Sequence, residues 1–308
     1  MEVLHLYSFP LIRLSNVKNS TRDDDITLPD CFGDELNKSA GKPFSFDQGD
    51  MRTLHFDEKF IQSAMRISAP DELLLSYTRA MMAFLLFNPE PRHVLMIGLG
   101  GGSLAKYCHR KLPATRITVL ELDHDVIALR DKFGIPDNDE RFQIIHADAV
   151  DYLAVMDNKV DIIVHDGFTA DGLAPSLSTE SFYRCCHAVL DRKGVLVSNL
   201  WGDAIDLAPV MKRLYAVFGW RLWWSGASGS FNRIVFSTKN MDETMVQRAF
   251  SKRAIQLDLR HGLSFSDLVD RLQSAYGKTR ADFEAIAGSD MQAAEASLRH
   301  VTVTQTAV

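Results

Sequence analysis

Between Arg92 and Lys239 the apolar positions fall into a repeated alternation. Short apolar runs (HVLMI, RITVLE, FQIIHA, VDIIVH and GVLVSNL) are separated by stretches in which apolar residues recur at spacings near three and four, namely LAKYCHRKL, HDVIALRDKF, AVDYLAVM and ESFYRCCHAVL. Unbroken apolar runs suit strands buried on both faces, and the longer period suits helices with one face on a core. Their alternation predicts an α/β domain with a mostly parallel sheet and helices on both sides. A further helix is expected over 206–218. RLWWS and NRIVFSTK follow, joined by Gly-Ala-Ser-Gly-Ser-Phe, and a connection that short predicts an antiparallel pair.

The flanks read differently. MRTLHFD and KFIQSAM, between Phe46 and Met65, alternate as a small antiparallel sheet should. A helix is predicted over 71–87, begun by PDELL with its acids over the positive end of the helix dipole and ended by Asn88-Pro89. Residues 1–45 are rich in Asp, Asn, Ser, Gly and Pro and read as a partly ordered arm. The expected units are therefore 1–45 (arm), 46–90 (small sheet and linking helix), 91–240 (main domain) and 241–308 (helical extension with a frayed end, VTVTQTAV). The C-terminal helices either cap the domain or form an oligomer contact such as a homodimer; the sequence favours neither.

Composition narrows the field. The chain has 308 residues, and 34 Lys plus Arg against 40 Asp plus Glu give a net charge of −6, which argues against a nonspecific nucleic-acid binder. Hydrophobic residues make up 46%, enough for a sizeable core. No stretch approaches the length of a membrane-spanning helix, and neither a signal peptide nor a membrane anchor is expected. Cys31, Cys108, Cys185 and Cys186 form no Cys-x-x-Cys pair, which fits a reducing, cytoplasmic setting.

The chemistry concentrates at strand ends. In HVLMIGLGGGSLAKY, Gly98, Gly100, Gly101 and Gly102 appear where an apolar run stops, and glycines permit positive φ and close approach to a ligand. Glu121 closes the next strand, about 20 residues on, where a carboxylate can accept both ribose hydroxyls of a nucleotide-like ligand. A dinucleotide fits less well, because Ser103 stands at the sixth position of G-x-G-x-x-G. Asp148, after the third strand, can accept the exocyclic amino group of an adenine, and can equally cap the helix that follows. Together these describe an adenosyl ligand.

The run VLMIGLGGGSL, the acidic ELD, IIHADA, DIIVHDGF and LSTESFYRCCHAVLDRKGVLVSNLW together resemble the spermidine synthase-like group of transferases with the class I methyltransferase (Rossmann-like) fold. The resemblance spans about 46–239. It implies a donor that is S-adenosylmethionine or its decarboxylated form, lined by Gly98, Gly100, Gly102, Glu121, Asp148 and Ala149, with Gln62 reaching it from the N-terminal sheet; a sulfonium is already a good leaving group, so no metal is expected. Tyr77 matches the family's tyrosine ahead of the core domain, with Thr78 where a glutamine is common.

Two departures shape the functional expectation. The family commonly carries an aspartate where Gly101 stands, and an Asp-x-x-Asp where this chain reads Asp166, Gly167, Phe168, Thr169. An alkylamine with a pKa near 10 must lose a proton before it attacks carbon, so a missing base handicaps aminopropyl transfer; Asp171 is the nearest substitute. The expected reaction is therefore methyl transfer from S-adenosylmethionine to an amine or other nucleophile, with Asp166 holding the acceptor or taking its proton. The alternatives are aminopropyl transfer from decarboxylated S-adenosylmethionine to putrescine, and a catalytically silent nucleotide-binding module. His146 and His165 are expected to bond locally, and the tryptophans to be core or sheet surface, with Trp201 the best candidate for an acceptor contact.

Overall fold

The computed structural model describes residues 32–57, 60–169, 172–202, 204–227, 230, 232–241 and 243–275. The acidic run at 23–25, Cys31 and the C-terminal tail lie outside them. Helix α1 (Phe32–Ser39) leads into an antiparallel sheet of β1 (Phe44–Gln48), β2 (Met51–His55) and β3 (Ile61–Arg66), in the order β1-β2-β3. Phe32, Phe44 and Phe46 form a small apolar cluster of their own.

The helix expected over 71–87 is two short ones, α2 (Ser76–Met81) and α3 (Phe84–Phe87). The Asp71–Leu75 segment stays out of the helix: Leu75 is an extended N-cap, and the Arg79 guanidinium bonds the carbonyls of Leu73 at 2.8 Å and Leu74 at 2.5 Å. The acids of PDELL therefore do not sit over a helix dipole. Asp71 instead pairs with Arg110 at 3.1 Å.

The main sheet is built from β4 (His93–Ile97), α4 (Ser103–Lys111), β5 (Arg116–Glu121), α5 (His124–Ala128), β6 (Phe142–His146), α6 (Ala149–Val155) and β7 (Val160–His165). A two-residue hairpin, β8 (Phe168–Thr169) and β9 (Gly172–Leu173), and a 3-10 turn (Pro175–Ser178) precede α7 (Glu180–Val189) and β10 (Leu190–Trp201). Then come α8 (Ala204–Phe218), β11 (Leu222–Gly226), β12 (Asn232–Thr238), α9 (Glu243–His261), α10 (Phe265–Arg271) and β13 (Gln273–Ser274). The strand order is β13-β11-β12-β10-β7-β4-β5-β6. The five predicted parallel strands are adjacent, and β11 and β12 pair antiparallel as expected. β13, added at the edge of β11, was not anticipated.

Each central strand is apolar on both faces because each face has its own core. Val94 and Met96 belong to one cluster with α4 and α9; Leu95 and Ile97 belong to another with α6, α7 and α8. Full burial of such side chains stabilises by about 1.5–3 kcal/mol each. Helix α9 packs against the end of α3. Phe250 packs edge-on against Phe87 at 5.0 Å, and Arg253 donates to the Leu86 and Phe87 carbonyls at the end of α3. Among the described residues no helix is long and apolar enough to cross a membrane.

Candidate active site

Ile97 pairs with Leu120 on one side and His165 on the other, and His165 pairs with Ser198. The residues next in line, Glu121, Gly98, Asp166 and Asn199, therefore form one row along the carboxyl edge of the sheet. The row spans the gap between β4 and β7, where successive crossovers diverge and open α/β sheets bind their ligands. A cavity of about 430 Å³ opens over it.

Gly98, Gly100, Glu121, Asp148, Ala149, Tyr77 and Asp166 all line this cavity, and Gln62 and Ser63 reach in from β3. Gly102 does not line it. It is the left-handed N-cap of α4 (φ +66°), and a Cβ there would lie 2.6 Å from Ile135, so this glycine turns toward the core. Asp171 falls outside the described residues.

Gly98 has φ +93°, and a Cβ added to it would overlap the Asp166 carbonyl; the loop and the end of β7 touch backbone to backbone. Gly98→Ala is expected to cost roughly 2–4 kcal/mol of stability from positive φ and displaced backbone, visible in urea unfolding. Gly101 is closed off differently, since a Cβ there would lie 2.6 Å from Ser63 Oγ and 3.0 Å from Phe133.

Glu121 is fixed by its neighbours. Oε2 accepts from the Leu99 N–H at 2.8 Å and Oε1 from the Asp123 N–H at 2.9 Å. Burial raises its pKa above the usual carboxylate range, and these N–H groups work against that rise. Asp148 caps α6, accepting from the Val150 N–H at 2.7 Å, while still facing the cavity. Gln62 Nε2 is buried without a protein partner, so a ligand acceptor there would relieve an unsatisfied donor.

Asp166 accepts from Asn199 Nδ2 at 2.8 Å and from the Tyr77 hydroxyl. It keeps a face on the cavity but lies deep, and burial pushes its carboxyl up to about 6 against the pull of those two bonds. Burial, with Asp166's charge adding to it, holds Tyr77 well above the ordinary phenol value, so its hydroxyl stays a donor. His165 is buried, bonded to Ser198 at 3.3 Å and pushed down to about 3, which leaves it neutral and unfit as a base. His146 bonds the Leu122 carbonyl at 2.9 Å. Trp223 and Trp224 are core, and Trp201 does not line the cavity; its ring centroid is 6.4 Å from that of Phe60.

Sequence reasoning missed Asn199 and Ser63. The first left a signal, since Ser198-Asn199 is a polar pair inside the otherwise apolar run GVLVSNLW. Ser63 left none beyond its place in an alternating segment.

A family model described as the spermine/spermidine synthase domain matches residues 74–202. The chain is 36% identical over 234 residues to a polyamine aminopropyltransferase of Chromobacterium violaceum, covering 76% of this chain and 90% of that one. The chain belongs to the spermine/spermidine synthase family. A polyamine aminopropyltransferase of Neisseria meningitidis serogroup A is 35% identical over 231 residues, 74% of this chain and 88% of the relative. In fold, the chain resembles a spermidine synthase solved with the transition-state analogue AdoDATO, at a TM-score of 0.52 and 22% identity, covering 66% of this chain and 75% of that one.

As a member of the spermine/spermidine synthase family the chain is a transferase of the S-adenosylmethionine type, which sets aside the reading as a silent module. The same relatives overturn the expectation of methyl transfer, because those matching about three-quarters of the chain are named aminopropyltransferases. That expectation leaned on two positions, Gly101 and Thr169, and two positions are a small part of the interactions that select a substrate.

Proposed function

We propose that the chain is a polyamine aminopropyltransferase, moving the aminopropyl group of decarboxylated S-adenosylmethionine to a primary amine such as putrescine. The observation that carries this reading is the Tyr77–Asp166 pair on the cavity wall beside the glycine loop, in a chain so widely matched by aminopropyltransferases.

In this reading the adenosine lies across Gly98 and Gly100, its ribose hydroxyls on Glu121 and its adenine amino group on Asp148, with Ala149 and Gln62 as flanking contacts. The amine nitrogen attacks the methylene carbon bound to sulfur. A carbon–nitrogen bond forms, the carbon–sulfur bond breaks, its electron pair stays on sulfur, and neutral methylthioadenosine leaves. The sulfonium is already a good leaving group, so the protein mainly aligns nucleophile, carbon and sulfur and removes one proton. Asp166 attracts the cationic acceptor and takes that proton; Tyr77 holds the carboxylate in place. A carboxyl near 6 is a better proton acceptor than an ordinary aspartate and is still ionised at neutral pH.

Purified protein given decarboxylated S-adenosylmethionine and a panel of amines should release methylthioadenosine, and intact S-adenosylmethionine should yield no S-adenosylhomocysteine. Activity should fall as pH drops through about 6, where Asp166 takes up its proton. Absence of methylthioadenosine with every amine would remove the reading.

A further inference from the structure

Asp166 is the end of a longer hydrogen-bonded file. Asn199 donates to it from Nδ2 at 2.8 Å, and the other end of the same amide is engaged, with Asn199 Oδ1 accepting from Asn232 Nδ2 at 2.8 Å. Asn232 Oδ1 in turn accepts from Ser230 Oγ. Asn199 and Asn232 are 0% and 2% exposed. On the β10–β12 ladder Asn199 faces Ile234 and Asn232 faces Trp201, so the two asparagines meet diagonally on one face of the sheet.

An asparagine amide presents a donor and an acceptor of nearly the same shape, and which one faces a neighbour depends on what holds the other. With its nitrogen forward, Asn199 stabilises a negative oxygen. Reversed, it would set a carbonyl oxygen against Asp166 and favour the protonated acid. Asn232 decides between the two, because its Nδ2 can only donate and its Oδ1 is already used by Ser230. Two buried amides are also a costly way to fill a sheet face that apolar side chains would fill well, which suggests a role other than stability.

We propose that Asn199 and Asn232 are positioning residues for the transfer: the file Ser230–Asn232–Asn199 fixes the orientation of the Asp166 carboxylate and presents it ionised to the acceptor amine. The identity of that amine and of the reaction rests on the function proposed above; the file does not. Among the described residues, the groups facing Asp166 are the Tyr77 hydroxyl from α2 and the Asn199 amide from β10, with Gly98 of the β4–α4 loop against its backbone; Leu177 of the 3-10 turn packs on the neighbouring Gly167, and neither Gly98 nor Leu177 carries charge. His165, the preceding residue, bonds Ser198. Glu121, Asp123 and Asp148 stand on the cavity wall toward the proposed adenosine end.

The deciding variant is Asn232→Leu, which adds no charge and has no bond to Asp166, so an effect on that carboxyl must pass through the Asn199 amide. Asn232→Ser serves if the leucine variant does not fold, and Asn199→Ser removes the direct donor for comparison. The Asp166 carboxyl would be followed by carbon-13 NMR titration, assigned with Asp166→Asn, beside the pH profile of transfer. The titration midpoint should move to higher pH in the Asn232 variant and at least as far in Asn199→Ser. At pH 6.5 kcat/KM should drop roughly fivefold and recover to within about twofold at pH 9. A midpoint unchanged in the Asn232 variant, with kcat/KM lowered equally at all pH values, would overturn the proposal. A midpoint that moves in protein showing no aminopropyl transfer would keep the file and remove the function.

Discussion

Asp166→Asn is expected to slow aminopropyl transfer by about 10²–10⁴-fold, the range for loss of a positioned acid or base. Asparagine has nearly the same shape and its Oδ1 can still accept from Asn199, so donor affinity should change little and the loss should appear in the chemical step. The same substitution should raise stability at pH 8. Burial places the folded-state value of this carboxyl at about 6, above that of an aspartate in the unfolded chain. The folded protein therefore holds the proton more tightly, its stability falls as pH rises between the two values, and the penalty is fully present above about 6. Because Asp166 keeps a face on the cavity, the gain from removing the charge should be on the order of 1–2 kcal/mol, less than the whole displacement would give. Single-turnover kinetics and thermal melts at pH 8 read both effects. A variant that is fully active, or less stable at pH 8 than its parent, would contradict the assignment.

The second large effect is expected from Glu121→Gln, which should weaken methylthioadenosine binding by roughly 10²–10³-fold in calorimetry. Both carboxylate oxygens of Glu121 already accept backbone N–H groups, from Leu99 and Asp123, and their remaining lone pairs are what the ribose hydroxyls would use. An amide in that place sets an NH₂ against one of those N–H donors. The variant thus loses charge toward the ligand and also disturbs the glycine loop at Leu99. Asp148→Asn is the milder comparison, since its bond to Val150 N–H survives on the amide oxygen. Unchanged binding in Glu121→Gln would mean that the adenosine lies elsewhere.

Much of the site could be read from the chain because a parallel sheet turns sequence order into spatial order. Each apolar run ends at the same edge, so Gly98, Glu121 and Asp166 follow once the strands are recognised. Where the periodicity was uninformative the reading failed. The segment ELLLSYTRAMMAFLLF is apolar almost all round, and nothing in its pattern shows that Arg79 holds two carbonyls of an extended stretch or that the helix breaks after Met81. The four glycines look alike as letters. Only the backbone reveals that Gly102 faces Ile135 while Gly98 and Gly100 line the cavity. Asn199 and Asn232 meet across an antiparallel ladder, and the register that joins them is set by packing of the hairpin rather than by any local motif.

The fit of Ser63 against Gly101 has a consequence for any attempt to graft a relative's loop onto this chain. A side chain at position 101 and the Ser63 side chain claim the same space, and Phe133 stands 3.0 Å from the same point, so both neighbours must give way whenever the loop gains an acid. Swapping the loop alone should wedge the two sheets apart.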